Sequence, residues 1–377
     1  MAKPVIPARL SVRGGSVLRR YSRHLLIPEV GVAGQERLAA ARVLVIGSGG
    51  LGSPVLQYLA AAGIGRIGVM DDDVVDETNL QRQTIFATSD IGRRKTEVAA
   101  EFLRALNPAV AIDAIPMRFD ESNAIDLVRL YDVVVDCTDR FPTRYLINDA
   151  CVLEGKPDVY GSIFRFDGQV SVFGHAGGPC YRCLYPQAPP AGSVPTCAEG
   201  GVLGVLPGIV GAWQANEALK IVLGIGDVLA GRLLLVDALS AQTREIGFER
   251  DPNCALCGAH PSIVQALVSD DEEPVDPGEL DAADLDAELE DAILLDVREP
   301  HELALGVLEG ALAIPASQLE TRLHELDSAR RYVVACRVGS KSRWAAQRLR
   351  DAGFTRVRHL SGGLLAYAAS RPGFEFL

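Results

Sequence analysis

Four cysteines stand in two Cys-x-x-Cys pairs, Cys180/Cys183 and Cys254/Cys257. Thiolates at that spacing close a tetrahedral Zn2+ site that pins two distant loops together, and four sulfur ligands leave no open position for catalysis. A second chemistry begins in "RVLVIGSGGLGS" (42–53), where an apolar run breaks into Gly47-x-Gly49-x-x-Gly52. Glycines there let backbone amides approach a phosphate and open a helix whose positive end faces it. Asp71, 19 residues past Gly52, supplies the acid that a ribose hydroxyl requires. A nicotinamide dehydrogenase satisfies the same pattern, so the turn alone leaves the occupant open.

The residues that follow favour a triphosphate. "ETNLQRQ" (77–83) and "GRRKTEVA" (92–99) put Arg82 and Lys95 after the acidic strand end. Two cations suit an ATP whose α-phosphorus is attacked while pyrophosphate leaves; hydride transfer does not need them. Asp139, closing "YDVVVDCTD" (131–139), is placed like a Mg2+ ligand. A third chemistry centres on Cys336, which an apolar run delivers to the loop "CRVGSKS" (336–342) ahead of a helical stretch. Loop amides and a helix N-terminus around a sulfur stabilise a thiolate or a persulfide anion. Cys197, in the Pro- and Gly-rich "PQAPPAGSVPTCAEGGVLG" (186–204), reads either as an inert loop cysteine or as an accessible nucleophile on a crossover segment. Cys137 and Cys151 read as core.

Alternating strands and helices must hold these groups. "ARVLVIG" (41–47), "RIGVMDDD" (66–73) and the run at 131–139 read as buried strands, with a helix over 53–63. "KPDVYGSIFRFDGQVSVFG" (156–174) reads as strands joined by a Gly turn. The pattern predicts an α/β fold, a Rossmann-like doubly wound parallel sheet with ligands beyond its C-terminal strand ends. Residues 292–299 and 331–336 start a second, smaller α/β core. The expected organisation is therefore a nucleotide-binding domain over 1–265, an acidic linker over 266–285, and a C-terminal domain over 286–377.

Composition narrows the partners. Of 377 residues, 48% are hydrophobic and 23% charged, which suits a chain able to bury large cores. Residues 270–291 carry twelve carboxylates and no Lys or Arg, matching the whole formal charge of −12. The remainder is nearly balanced, which argues against a nucleic-acid partner. The most apolar stretch (201–226) is broken by Pro207, Asn216, Glu217 and Lys220, so no membrane span is expected. No apolar signal core follows the basic N-terminus, so the expected compartment is the cytoplasm.

With these motifs in view, residues 20–260 resemble the adenylyltransferases that activate ubiquitin-like proteins, above all the MoeB/ThiF type of molybdopterin-synthase and thiamine-biosynthesis activators. The matching stretches are "RYSRH" (20–24), "GSGGLGS", "DDDVVDETNLQRQ" (71–83), "GRRK", "NPAVAI" (107–112), "DCTD", "CYRC" and "TCAEGGVLG" (196–204). The resemblance implies that Gly50, Asp71, Asn79, Arg82, Lys95 and Asp139 bind ATP, on the turn that includes Gly47 and Gly49. It also implies a homodimer in which Arg23 reaches the phosphates of the other subunit's site. It favours Cys197 as a cysteine that joins covalently to the carrier protein. Arg140 departs from the Asn usual after "DCTD".

The C-terminal segment, with "LLDVREPHELALGVLEGALAIP" (294–315) and a C-x4-K loop of sulfurtransferase length, looks like a single-domain rhodanese. Lys341 stands where that family often has Arg. Together the two resemblances imply one reaction sequence. A small ubiquitin-like sulfur carrier ending in Gly-Gly is adenylated, then receives sulfur as a thiocarboxylate. Cys336 would take that sulfur from a cysteine desulfurase or thiosulfate. The acidic linker would let the rhodanese domain travel. The pathway served would be molybdopterin, thiamine, cysteine or tRNA thiolation. Competing readings are an activator that stops at a Cys197 thioester and, further off, the NAD-dependent dehydrogenase.

Overall fold

The computed structural model describes residues 19–189, 200–266 and 278–371, in two compact units. Cys197 and most of the expected linker lie outside the described residues.

The first unit is built on one eight-stranded sheet: β1 (Arg42–Ile46), β2 (Arg66–Met70), β3 (Ala111–Ile115), β4 (Val133–Asp136), β5 (Asp158–Phe164), β6 (Asp167–Phe173), β7 (Arg232–Asp237) and β8 (Gln242–Gly247), in the order β3-β2-β1-β4-β5-β6-β7-β8. The strands from β3 to β5 pair in parallel, as their continuous Val/Ile/Leu runs demand of a sheet covered on both faces. From β5 onward the pairing is antiparallel, so the sheet is mixed rather than wholly parallel. The β5–β6 hairpin also turns without glycine. Arg165 takes the left-handed conformation at φ 53°, while Gly168 lies inside β6, where a Cβ would overlap Val210.

The chain leaves β1 toward β2 and β3, then returns on the other side as β4. The strand order therefore reverses between β1 and β4, and a crevice opens at their C-terminal ends. Helix α1 (Gly52–Ala62) follows β1, α2 (Lys95–Leu106) precedes β3, and α3 (Phe141–Leu153) follows β4. Helix α4 (Leu206–Leu223) lies across α1 and the middle strands. No helix among the described residues is long and apolar enough to cross a membrane.

The second unit carries a five-stranded parallel sheet of β9 (Glu279–Leu280), β10 (Ile293–Asp296), β11 (Leu312–Ala313), β12 (Tyr332–Ala335) and β13 (Val357–Leu360), ordered β11-β10-β12-β13-β9. Its edge strand β9 falls inside the stretch expected to be linker, so the unit begins before residue 286. Two residues are too short to show a strand period, and their acidic surroundings read as solvated chain. Helix α5 (Ser340–Asp351) follows β12 and covers this sheet with Leu349, Ala345 and Ala346 buried.

Candidate functional site

The first unit gathers its chemistry where β1, β2 and β4 end. Gly47 sits at φ 93°, and a Cβ there would stand 2.7 Å from the Cys137 carbonyl oxygen; a Cβ on Gly52 would overlap the Gly47 carbonyl. The glycines are required by this close approach of β1 to β4 and of turn to helix. Gly49 and Gly50 form the turn itself, beside Gln83 and beside Pro207 with Arg82. Asp71, at the end of β2, accepts from Ser48 N at 2.8 Å and Ser48 Oγ at 2.9 Å, and its other oxygen accepts from Asp73 N at 3.0 Å. It thus fixes the turn as well as facing it.

Asn79 ends a 3-10 turn (Glu77–Asn79), and its carbonyl accepts from Arg82 N and Gln83 N. Arg82 reaches back to the Thr78 carbonyl through Nη1 at 2.9 Å. Lys95 opens α2 with its side chain only 6% exposed, and Nζ lies 2.8 Å from Asp73 Oδ2. Asp139 is exposed, one residue past Thr138. Arg23, on the short helix Ser22–Leu25, is exposed and stands apart from these contacts.

Sequence reasoning missed the groups beneath the Asp139 turn. Asp136 Oδ1 accepts from Thr138 N and Oγ1 at 2.8 and 2.7 Å, Arg144 Nη2 donates to the Thr138 carbonyl at 3.0 Å, and Gln214 Nε2 donates to the carbonyls of Asp136 and Val159. Burial holds the Asp136 carboxyl above the usual carboxylate range, against the pull of Arg144. Asp158, on the neighbouring strand, is raised much further by burial and by Asp136. A polar residue buried at a strand end was the only available signal, and "DCTD" drew attention to its last member alone.

The cysteine pairs come together. Cys180 caps the short helix Tyr181–Leu184 and Cys183 lies within it, while Cys254 and Cys257 lie on the loop after β8. Their sulfurs lie within 4.8 Å of one another, with Cys180–Cys183 at 3.8, Cys180–Cys254 at 3.6 and Cys183–Cys257 at 3.4 Å. Zn–S bonds of about 2.3 Å place tetrahedral sulfurs roughly 3.8 Å apart, so the four residues fit zinc. Burial pushes the Cys183 thiol up to about 11, so a metal binding there has to displace its proton. The cluster is anchored to α3: Asn148 Oδ1 accepts from Tyr181 N at 2.7 Å, and Arg182 binds Asp149 through two hydrogen bonds of 2.8 and 2.7 Å.

In the second unit β12 delivers Cys336 into a closed loop. The residue is 1% exposed, and its Sγ accepts from Gly339 N at 3.1 Å and Ser342 N at 3.3 Å. Gly339 takes φ 101°, which starts α5 with its N-terminus toward the sulfur. Asp296 and Arg298, both 1% exposed, form a bidentate pair that also ties the Gly306 carbonyl. Lys341 Nζ lies 2.8 Å from Glu302 Oε2, a partner the sequence did not suggest.

Comparison with known proteins accounts for both units. The ThiF family profile matches residues 21–256, and the Rhodanese-like domain profile matches residues 281–370. The "Sulfur carrier protein adenylyltransferase" of Thermus thermophilus is 55% identical over 250 residues, covering 65% of this chain and 92% of that protein. "Probable adenylyltransferase/sulfurtransferase MoeZ" of Mycobacterium tuberculosis is 46% identical and covers 93% of this chain and 92% of its own length. The mouse "Adenylyltransferase and sulfurtransferase MOCS3" is 42% identical, covering 98% and 89%. Among solved structures, Escherichia coli MccB with MccA-N7isoASN superposes with a TM-score of 0.57 at 24% identity, over 63% of this chain and 74% of that one, a likeness of fold. By these matches along nearly its whole length, the chain belongs to the ThiF family, with a rhodanese-like domain carried on the same polypeptide.

Proposed function

We propose that the first unit uses ATP to adenylate the C-terminal glycine of a small ubiquitin-like sulfur-carrier protein ending in Gly-Gly, and that the second unit supplies the sulfur that turns it into a thiocarboxylate. The observation that carries the reading is the pairing, on one chain, of a phosphate-type glycine turn with Arg82 beside it and Lys95 paired with Asp73 beyond β2, and of a buried cysteine whose sulfur accepts from two backbone amides.

The carrier's carboxylate oxygen attacks the ATP α-phosphorus and pyrophosphate leaves, giving an acyl-adenylate. Gly47, Gly49 and Gly50 admit the phosphates, Asp71 and Asn79 face the nucleoside, and Arg82 and Lys95 stabilise the developing charge. In a homodimer, Arg23 of each subunit joins the other's site. Asp139 is the residue to hold Mg2+, which when bound neutralises phosphate charge. The zinc cluster keeps its role as a clasp.

Cys336 first takes sulfur as a persulfide from a cysteine desulfurase or thiosulfate, with the amides of Gly339 and Ser342 stabilising the anion. The terminal sulfur attacks the acyl carbon and AMP leaves, producing an acyl disulfide on Cys336. The Cys197 thiol then attacks the Cys336 sulfur. The thiocarboxylate departs, a Cys197–Cys336 disulfide remains, and a cellular thiol supplies two electrons to reopen it. The free thiols among the described cysteines suit the reducing cytoplasm.

ATP–pyrophosphate exchange tests the first half. Exchange that requires a Gly-Gly carrier supports the reading, and exchange indifferent to any such carrier contradicts it.

A further inference from the structure

Arg144 lies one turn into α3, five residues past Asp139, and is 5% exposed. Its guanidinium stands 5.4 Å from the ring centroids of both Phe141 and Tyr160, so two aromatic faces fix its plane. Nη2 donates to the Thr138 carbonyl at 3.0 Å, while Nε is buried with no partner among the described residues.

The Thr138 amide and hydroxyl are already taken by Asp136 Oδ1, so Arg144 completes the set: each polar group of the residue before Asp139 is held. The carbonyl of Asp136 is in turn held by Gln214, which ties the base of the turn to α4. Burying a guanidinium is unfavourable unless its surroundings use its charge and its fork. Here the charge faces Asp136 and Asp139, and Nη2 caps the Thr138 carbonyl between them.

We propose that Arg144 is a positioning residue for adenylation, fixing the Thr138–Asp139 turn so that the Asp139 carboxylate is presented in one orientation to the metal–nucleotide complex. The inference rests on the reading of Asp139 as the Mg2+ holder. It distinguishes Arg144 from the exposed Arg140 nearby, which has no such grip on the turn. A lysine at 144 keeps the charge but loses the planar fork that spans rings and carbonyl.

The test is ATP–pyrophosphate exchange by the full-length, zinc-loaded chain with its carrier, titrated with Mg2+, for the natural protein, Arg144→Ala, Arg144→Lys and Asp139→Asn. Zinc content and thermal unfolding are measured on each. Arg144→Ala should raise the Mg2+ concentration for half-maximal exchange and lower the maximal rate by about a hundredfold, the cost of small misplacements in a reacting site. Arg144→Lys should recover part of both losses. Zinc content should stay unchanged.

An Arg144→Lys protein with the natural Mg2+ half-saturation and rate, or an Arg144→Ala protein whose loss only follows its unfolded fraction, overturns the inference while Asp139→Asn still shifts the Mg2+ requirement. If Asp139→Asn leaves that requirement unmoved, the reading of Asp139 fails and takes the inference with it. Should Arg144→Ala not fold, the Mg2+ titration of Arg144→Lys decides.

Discussion

Lys95 Nζ lies 2.8 Å from Asp73 Oδ2, with the lysine buried on the first turn of α2 and the carboxylate exposed on the loop after β2. The ammonium is thus held in place before any phosphate arrives, beside a carboxylate that water screens. Preorganised cations of this kind act where charge develops. Lys95→Ala should lower carrier-dependent ATP–pyrophosphate exchange by on the order of 10²–10³, and leave thiosulfate:cyanide sulfur transfer by the same chain unchanged. Equal loss of both activities would show that the substitution acts through folding.

The four-cysteine cluster and α3 share the Arg182–Asp149 pair, in which the aspartate side chain is 1% exposed and the arginine 16%. Removing the arginine leaves Asp149 charged and buried, which costs about 3–5 kcal/mol, and removing the aspartate costs less because Arg182 is only partly buried. Arg182 also stacks over Tyr145, 4.7 Å from its centroid, so Arg182→Ala loses packing as well. Asp149→Ala should lower the urea midpoint of the first unit and speed zinc release to a chromogenic chelator. Unfolding that shifts without faster release would separate the pair from the metal.

Asp158 sets a pH dependence of opposite sign to the usual salt-bridged acid. Burial, then the charge of Asp136, raise its folded pKa well above the ordinary value, against the pull of Arg144. The native chain therefore keeps a proton that the unfolded chain releases above about pH 4. The contribution of this group is full below that pH and falls as pH rises toward the folded value. Asp158→Asn removes the titration, so the first unit's unfolding midpoint should decline less between pH 5 and pH 8 in the variant than in the natural chain. Parallel profiles would contradict this assignment.

What was readable in the sequence follows from how local each constraint is. Gly47 and Gly52 announce themselves because backbone sterics admit no other residue. The cysteine pairs do so because their spacing matches a metal's geometry. Arg144 and Gln214 do not, since each acts through a backbone carbonyl, which carries no side-chain signature, and Gln214 is 78 residues from Asp136. Glu302 stayed hidden for the same reason, 39 residues from Lys341. The antiparallel half of the sheet was obscured by the glycine at 168. A packing requirement against Val210 put it in a strand, while Arg165 made the turn.

The central claim is that one chain both activates a carrier and delivers sulfur to it. The most direct measurement is intact-mass spectrometry of a Gly-Gly carrier after incubation with the chain, ATP, Mg2+, thiosulfate and a thiol reductant. The account predicts replacement of one oxygen of the carrier by sulfur with the natural chain, accumulation of adenylate without sulfur for Cys336→Ala, and an unmodified carrier for Lys95→Ala. Thiocarboxylate formed at the natural rate by Cys336→Ala would contradict it.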